Sequence, residues 1–294
     1  MIVLTTPTGD IGHQLLQTLV EAGEAVRVIA RDPARLPDDL RERVEVVAGS
    51  HGDAEVVERA FAGADALFWL PPPNPRAESL DAAYLDFTRP ACDAIRSQGV
   101  RRVVSVSALG RGTGLEDRAG FVTASLAMDD LLAGTGVAFR ALTMPSFMDN
   151  LLRQVGAIKG QGAFYSPIDG DRKSPTCATR DIAATAARLL RDDSWTGQGH
   201  VAVLGPEDLS MNEMAAIVSD VLGRPVRYVQ TPFEAFEAQL KGYGMSEAFV
   251  RGYVEMMRAK NEGLDDAEPR TAESSTPTSF RQWCEEVLRP AVLA

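Results

Sequence analysis

The stretch Thr5-Thr6-Pro7-Thr8-Gly9-Asp10-Ile11-Gly12 follows the apolar run Ile2-Val3-Leu4 and opens a segment with helical periodicity. A short turn between a buried strand and a helix gathers backbone N–H groups and the positive end of the helix dipole, where a phosphate can bind. Gly9 lets the backbone approach a phosphate, and Gly12 lets the helix pack tightly on the strand. Thr6 stands where such turns usually have their first glycine. The stretch predicts a phosphate-binding turn; the alternative is that its glycines only shape the turn.

The strand-turn-helix pattern repeats along the first half of the chain. Short apolar runs alternate with helical patterns, which is typical of a parallel sheet joined by crossover helices. The predicted strands are residues 2–5, 25–30, 44–48, 66–70, 102–107 and 138–143. The predicted helices between them are residues 12–22, 53–61, 80–98 and 121–133. This series predicts an α/β fold with a doubly wound parallel sheet of the Rossmann type.

After Pro145 the alternation of predicted strands and helices is less regular. Residues 156–175 are rich in glycine, proline and polar residues, which predicts a surface excursion near a site. The further predicted elements are helices at 181–190, from the N-cap Ser210 to 222, over most of 233–260 and at 280–287, and strands at 201–204 and 226–229. We predict a nucleotide-binding domain over residues 1–150. Residues 151–294 are predicted to form a smaller α/β C-terminal cap that contributes the substrate pocket, with some segments returning to the core.

Composition excludes several classes of protein. The 294 residues carry 30 basic and 41 acidic side chains, and this net charge of −11 disfavours nucleic acid and anionic membrane partners. The three cysteines form no C-x-x-C pair, so we expect small buried side chains and no metal site. No apolar run approaches the ~18 residues of a membrane span, and the N-terminus lacks the features of a secretory signal. These features predict a soluble, cytoplasmic protein.

The end of the second predicted strand carries a residue that bears on cofactor choice. Arg31 stands 19 residues after Gly12, where an NAD-selective protein more often has an acidic group for the ribose hydroxyl. A guanidinium suits a 2′-phosphate instead. We therefore expect NADP(H) to be the preferred cofactor, with NAD(H) as the alternative.

Several segments resemble one known family. Residues 8–12, 26–33, 103–108 and 140–150 look like the matching parts of the NmrA-like branch of atypical short-chain dehydrogenases/reductases. The similarity extends through most of the chain. It implies a Rossmann fold that binds NADP(H) or NAD(H). It leaves the activity open, because some members reduce quinones, azo dyes, imines or phenylpropanoid double bonds, whereas others are redox sensors bound to a partner.

The resemblance also implies the cofactor contacts. It places the phosphates on residues 8–11 and the 2′-phosphate on Arg31. After the third strand, Ser50 and His51 stand where the family often has an acidic residue facing the adenine, and we expect His51 to be an exposed loop histidine rather than a catalyst. The ends of the fourth and fifth strands would lie beside the ribose and the nicotinamide. The expected cofactor-binding residues are Thr6, Thr8, Gly9, Asp10, Ile11, Arg31, Ser50, His51, Leu70, Pro71 and Ser105.

The pair of residues that drives catalysis in the main short-chain family is absent. That pair is Tyr-x-x-x-Lys, in which the lysine lowers the tyrosine pKa for proton exchange with the substrate. The matching positions here are Phe121 and Ser125. The chain has four lysines, none before Lys159, and none of its five tyrosines is followed by lysine four residues later. Carbonyl reduction by the usual tyrosine mechanism is therefore not expected.

Two classes of function remain. The first is an enzyme that transfers hydride from NADPH to a small apolar acceptor needing little acid assistance, such as a quinone, an activated alkene or an imine. Ser107 is then the best candidate for a hydrogen-bond donor in the site; the alternative, and the commoner case, is a structural serine at a strand end. The second is a non-catalytic NADP(H) sensor that acts through a protein partner. A homodimer is compatible with either class.

The segment from 143 to 150 resembles the family's Arg-Pro-Gly-Phe-Phe-x-Glu-Asn segment, which turns the chain away from the cofactor. Phe147 and Met148 are expected to form an apolar wall of the substrate pocket. Tyr165, in a second Gly-containing stretch, is a further pocket candidate. A small-molecule substrate is thus the expected partner.

Overall fold

The computed structural model describes residues 1–294 and contains both strands and helices along its whole length. The strands are β1 (Ile2–Leu4), β2 (Val26–Ala30), β3 (Glu45–Ala48), β4 (Ala66–Trp69), β5 (Arg102–Ala108), β6 (Ala138–Met144), β7 (Ser146–Phe147), β8 (Ala163–Ser166), β9 (Ser174–Cys177), β10 (Gln198–Ala202), β11 (Asp208–Leu209) and β12 (Arg227–Gln230). The helices are α1 (Asp10–Glu21), α2 (Asp38–Arg41), α3 (Ala54–Phe61), α4 (Phe87–Gln98), α5 (Phe121–Ala133), α6 (Val155–Gln161), α7 (Thr179–Arg191), α8 (Met211–Leu222), α9 (Phe233–Gly242), α10 (Glu247–Asn261), α11 (Phe280–Trp283) and α12 (Arg289–Leu293).

Seven strands form the main sheet in the order β10-β6-β5-β4-β1-β2-β3. β1 pairs in parallel with β2 on one side and with β4 on the other, and β2–β3 and β4–β5 are parallel as well. Strands β2 and β3 therefore lie on one side of β1, and β4 and the strands beyond it lie on the other, so the strand order reverses between β3 and β4. In such sheets ligands bind outside the carboxyl ends of the strands at this switch point. The predicted fold class, a Rossmann-type parallel sheet, is confirmed.

Apolar side chains at helical spacing hold α1 and the next crossover helices to the sheet. Leu15, Leu16 and Leu19 of α1 are completely buried. A second cluster joins α3, α4 and the end of α5 to the strands, and it includes Phe61 and Trp69. The cysteines Cys92, Cys177 and Cys284 are all buried and free, as predicted.

The chain folds as two compact units with interleaved segments. The first consists of residues Met1–Ser107, Ala124–Thr143 and Ile182–Val201. The second consists of residues Ala108–Thr123, Met144–Asp181 and Ala202–Ala294. The second unit contains a three-stranded sheet, β11-β9-β7, and a parallel pair, β12-β8. None of the helices combines the length and the apolar character that a bilayer span requires.

Three predicted elements differ from the structure. Residues 156–175 are not an unstructured excursion, because they contain most of α6, all of β8 and the start of β9. The strand expected at 201–204 is β10, which begins three residues earlier at Gln198. The helix expected over 80–98 has a π-helical turn, Ala82–Asp86, ahead of α4. Pro90 has no N–H for the carbonyl of Asp86, which explains why regular α-helical bonding does not continue through this point.

Candidate functional site

The residues between β1 and α1, which we call the nucleotide turn (residues 5–12), are fixed by a buried threonine. Thr5 Oγ1 donates to the carbonyl of Phe68 at 3.0 Å and accepts from the amide of Leu70 at 2.9 Å. The ends of β1 and β4 are thereby tied together at the switch point of the sheet. The next residue, Thr6, has φ of 51°, the left-handed conformation that favours glycine. Its hydroxyl oxygen is buried and has no hydrogen-bond partner.

The two glycines of the nucleotide turn have different structural roles. A Cβ on Gly12 would lie 2.0 Å from the carbonyl oxygen of Thr6, so only glycine allows α1 to approach the turn. A Cβ on Gly9 would meet the same oxygen at an ordinary 3.6 Å. Gly9 is the N-cap of α1 and supplies no side-chain hydrogen bond to the first turn. The helix thus starts without a capping side chain, which leaves room for an anion at its N-terminus.

The end of β2 and the loop after β3 carry two predicted residues, of which one is exposed and the other is buried. Arg31 is exposed directly after β2. His51 is only 5% exposed, so the expectation of an exposed loop histidine is wrong. Its ring packs edge-on against Trp69 and Phe87, with centroids 5.2 and 4.9 Å away, because the end of β4 and the start of α4 cover it. Ser50, beside it, is half-buried and accepts a bond from the amide of Gly52.

Burial determines the charge of His51. Burial lowers the pKa of the imidazole, the hydrogen bond to the Leu70 carbonyl raises it in part, and the positive charge of Arg31 lowers it; together they bring the pKa to about 4. The ring is therefore neutral near pH 7. Its Nε2 lies 3.1 Å from the Leu70 carbonyl oxygen, which can only accept, so Nε2 carries the proton. A neutral ring whose proton is held by a backbone carbonyl is poorly suited to act as a general acid.

The backbone of Leu70 connects these predicted residues. Its amide binds Thr5 and its carbonyl binds His51, so the nucleotide turn, the end of β4 and the loop after β3 meet at one edge of the sheet. Pro71 follows, half-buried, without an N–H of its own. Thr8, Gly9 and Asp10 are exposed on the turn, whereas Ile11 is buried beneath it.

The end of β5 holds a buried polar group that we call the serine–aspartate cluster: Ser105, Ser107 and Asp129. Ser105 Oγ donates to Asp129 Oδ1 at 2.9 Å, and Ser107 Oγ donates to Asp129 Oδ2. Ser125, one helical turn before Asp129 on α5, lies 3.5 Å from Ser107 Oγ. Ser105 and Ser107 were predicted site residues, but Asp129 was missed. The sequence does contain a pattern that could have indicated Asp129: within otherwise apolar segments, polar residues stand two apart on β5 and four apart on α5.

The beginning of α5 is aromatic. Phe121 packs edge-on against Phe249 and Tyr253 of α10, with centroids 4.6 and 5.2 Å away. The backbones approach closely here, since a Cβ on Gly120 would lie 2.1 Å from the carbonyl oxygen of Gly252. The position that carries the catalytic tyrosine in the main short-chain family is therefore a packing position in the second unit.

The predicted pocket residues of the second unit have different environments. Phe147 is half-buried on β7, paired with Cys177 of β9. Met148 is 2% exposed and belongs to the hydrophobic core of the unit, which argues against direct contact with a substrate. Tyr165 is half-buried on β8, and its hydroxyl donates to Gln161 at 2.7 Å.

Comparison with known proteins identifies the family. The model of an NAD(P)H-binding family matches residues 7–193, and that of the NmrA-like family matches residues 135–284. A (4-alkanoyl-5-oxo-2,5-dihydrofuran-3-yl)methyl phosphate reductase of Streptomyces griseus is 31% identical over 97% of each chain. An NAD(P)H azoreductase of Xenophilus azovorans is 29% identical over 87% of this chain and 86% of the relative.

A solved structure supports the same fold. The NADPH-dependent quinone oxidoreductase of Escherichia coli, complexed with NADPH, superimposes with a TM-score of 0.79 at 21% identity, covering 98% of this chain and 100% of that one. At this identity the likeness shows the fold alone. Together with the two family matches, it leads to one conclusion: the chain belongs to the NmrA-like family of NAD(P)H-binding proteins, which is of the NAD(P)H-dependent oxidoreductase type.

Proposed function

We propose that this chain transfers hydride from NADPH to a small apolar acceptor, namely a quinone, an activated alkene or an imine, without a Tyr-x-x-x-Lys pair. The observation that carries the proposal is the combination of a well-formed nucleotide turn with Phe121 and Ser125 at the two positions of that pair. A bound reduced nicotinamide supplies hydride, and the acceptors named need less acid assistance than a simple ketone.

The residues of the nucleotide turn fit a dinucleotide phosphate. The uncapped N-terminus of α1 and the unpartnered Thr6 hydroxyl supply hydrogen-bond donors there. Thr8, Gly9, Asp10 and Ile11 would surround the phosphates as the resemblance implies. The exposed carboxylate of Asp10 is oriented by its place in the first helical turn, where the helix dipole stabilises it.

Arg31 supports a preference for NADP(H) over NAD(H). It is exposed at the carboxyl end of β2, and its charge reaches His51, which ties it to the same edge of the sheet as the turn. A guanidinium can bind a 2′-phosphate through charge-assisted hydrogen bonds. We assign Ser50 and His51 to the adenine end, and Leu70, Pro71 and Ser105 to the ribose and nicotinamide end.

The acceptor class follows from the residues available for proton transfer. Ser107 is our candidate donor, at the end of β5. Phe147 and Tyr165 are our candidates for contact with the acceptor. The names of the two curated relatives are in line with this class, since an oxo-dihydrofuran ring contains a conjugated double bond and an azo compound is an electron-poor acceptor.

A non-catalytic NADP(H) sensor with a protein partner is the second candidate. It is favoured by the loss of both the tyrosine and the lysine, because a sensor needs no proton donor. The buried serine–aspartate cluster favours the enzyme instead, since it brings a titratable carboxyl of α5 within hydrogen-bond distance of Ser107 near the carboxyl end of β5, where a sensor would need none.

The test has two parts. The thermal shift of the protein is measured with NADPH and with NADH, and then anaerobic oxidation of bound NADPH is followed with menadione, an enone and a cationic imine. We expect stabilisation by NADPH and faster oxidation with at least one acceptor. Absence of stabilisation at millimolar NADPH would reject the nucleotide-turn assignment. Binding without acceptor-dependent oxidation would favour the sensor.

A further inference from the structure

In the serine–aspartate cluster, each serine hydroxyl donates to a different oxygen of the Asp129 carboxyl. Ser105 and Ser107 are two residues apart on β5 and therefore face the same side of the strand, toward Asp129 of α5. Asp129 is 3% exposed, and each of its carboxyl oxygens binds a different serine. Ser105 is completely buried, whereas Ser107 is 6% exposed and is the last residue but one of β5, which ends at Ala108. Ser107 is thus the member of the cluster next to the carboxyl edge of the sheet.

The single proton of a serine hydroxyl limits what Ser107 can do. While Ser107 donates to an ionised Asp129, its oxygen can only accept, and it cannot donate to an acceptor molecule. When Oδ2 carries a proton, the carboxyl donates to Ser107 Oγ, and the serine proton is released for another partner. Ser105 holds Oδ1 in both cases, which keeps Oδ2 directed at Ser107.

We infer that Asp129 and Ser107 form a proton relay that serves acceptors which become anions when they receive hydride. The inference rests on the proposed function. Asp129 acts through Ser107: it positions the hydroxyl and holds the proton that replaces the one given away. The relay stands in for the missing tyrosine and lysine, and it includes Asp129 of α5, which the family resemblance does not assign.

The step balances for a quinone. One hydride, which carries two electrons, passes from the reduced nicotinamide to the quinone; a C–H bond of the nicotinamide breaks, and the quinone becomes a hydroquinone monoanion. The Ser107 O–H bond breaks as its proton goes to the anionic oxygen, and the Asp129 O–H bond breaks as its proton goes to Ser107. Asp129 is left as a carboxylate and is reprotonated from water. A cationic imine needs no such step, because hydride addition leaves it neutral.

The experiment compares two acceptors in the same variants. Single-turnover oxidation of bound NADPH is measured without oxygen, with menadione as the quinone and malachite green as the cation. Asp129→Asn keeps the size and the hydrogen-bonding shape of the side chain but has no proton to pass on. We expect it to slow menadione reduction by about 100-fold and malachite green reduction by less than about threefold, given the usual size of general-acid contributions.

The matched control is Asp130→Asn, which removes the same charge from the neighbouring, exposed position of α5. We expect this variant to reduce both acceptors as the unmodified protein does. Ser107→Ala should lose menadione reduction to a similar extent as Asp129→Asn, and the double variant should lose no more than either single one, because the two residues act in one path.

A second readout needs no cofactor. The infrared spectrum of the cofactor-free protein minus that of Asp129→Asn should show the C=O band of a protonated carboxyl. If that band were absent, or if Asp129→Asn and Ser107→Ala slowed both acceptors equally, the relay would be wrong. If the unmodified protein bound NADPH but reduced neither acceptor, the proposed function would fail first, and the relay with it.

Discussion

The nucleotide turn and the serine–aspartate cluster lie at the same edge of one sheet but are built from different kinds of groups. The turn depends on the conformation of the backbone. Thr6 is left-handed, Gly12 leaves no space for a side chain, and α1 begins without a capping side chain. The cluster is made of side chains, two serines and one aspartate. Backbone geometry tolerates sequence change as long as the chain path is kept, so the turn survives with threonine in place of its first glycine.

Proton transfer by a side chain, in contrast, requires a particular residue type, as two positions of α5 illustrate. With Phe121 and Ser125 at these positions the tyrosine mechanism is not expected, although the helix that carries them, α5, is formed over Phe121–Ala133. We therefore expect that cofactor binding and proton transfer can be gained or lost separately in this fold. The following predictions test that separation.

The largest effect is expected from Gly12→Ala. The added methyl group would overlap the Thr6 carbonyl, so α1 or the turn must move, and we expect the unfolding free energy to fall by about 3 kcal/mol. NADPH binding should be lost as well. Urea unfolding and fluorescence titration with NADPH measure the two effects.

Gly9→Ala is the control, because a methyl group fits at this position. This variant should weaken NADPH binding and leave the free energy of unfolding unchanged. A loss of stability equal to that of Gly12→Ala would contradict the division of roles between the two glycines.

The next effect concerns His51 and pH. Its pKa is about 4 in the folded protein and 6.5 in the unfolded chain, so its contribution is complete above pH 6.5 and is lost as the pH falls toward 4. This contribution is on the order of 3 kcal/mol. Urea unfolding between pH 7 and pH 4.5 should show a shallower decline for His51→Gln than for the unmodified protein. His200→Gln, at an exposed position of β10, should follow the unmodified protein; parallel curves for His51→Gln would refute the assignment.

A smaller effect is expected from Arg31→Ala. Loss of a charge-assisted contact with the 2′-phosphate should raise the Kd for NADPH by about 10- to 100-fold and leave the Kd for NADH nearly unchanged. Isothermal titration with both cofactors measures the ratio. Arg41→Ala removes a guanidinium that pairs with Asp38 at 2.5 Å and should change neither Kd. An equal loss for NADPH and NADH after Arg31→Ala would reject the phosphate contact.

The smallest effect is expected from Ser125→Ala. Ser125 is buried and lies 3.5 Å from Ser107, at the limit of a hydrogen bond. If this position no longer serves the cofactor, the Kd for NADPH should change by less than about twofold. A tenfold loss of NADPH affinity would show that Ser125 retains part of the role of the lysine, and the separation of the two regions would be weaker than proposed.

Local pattern was sufficient to predict six of the seven strands of the main sheet, but it placed the start of the seventh, β10, three residues too late. Buried strands such as residues 66–69 are short apolar runs between turns, and α5 was predicted with both ends correct. The region 156–175 was misread because its glycines suggested a loop, whereas Gly162 ends α6 in the left-handed conformation and β8 follows directly. Strand β8 pairs with β12, more than sixty residues away, and no local pattern contains that pairing.

The site was predictable to the extent that it depends on the backbone. The nucleotide turn follows from residue types and spacing alone. The burial of His51 could not be predicted, because the rings of Trp69 and Phe87 that cover it are distant in sequence. Asp129 was hidden for a similar reason: its partners Ser105 and Ser107 lie on another element, and an aspartate within a helix is usually exposed.

The position of β10 beside β6 has a consequence for biosynthesis. The first unit needs residues 182–201, which the ribosome adds only after residues 144–181 of the second unit. Until then β6 has an open hydrogen-bonding edge, because its outer neighbour does not yet exist. An open apolar edge invites pairing with other chains. A nascent chain of this protein is therefore most prone to aggregation while it is between about 150 and 200 residues long, and a fragment that ends at residue 150 should be insoluble although it contains the whole nucleotide turn.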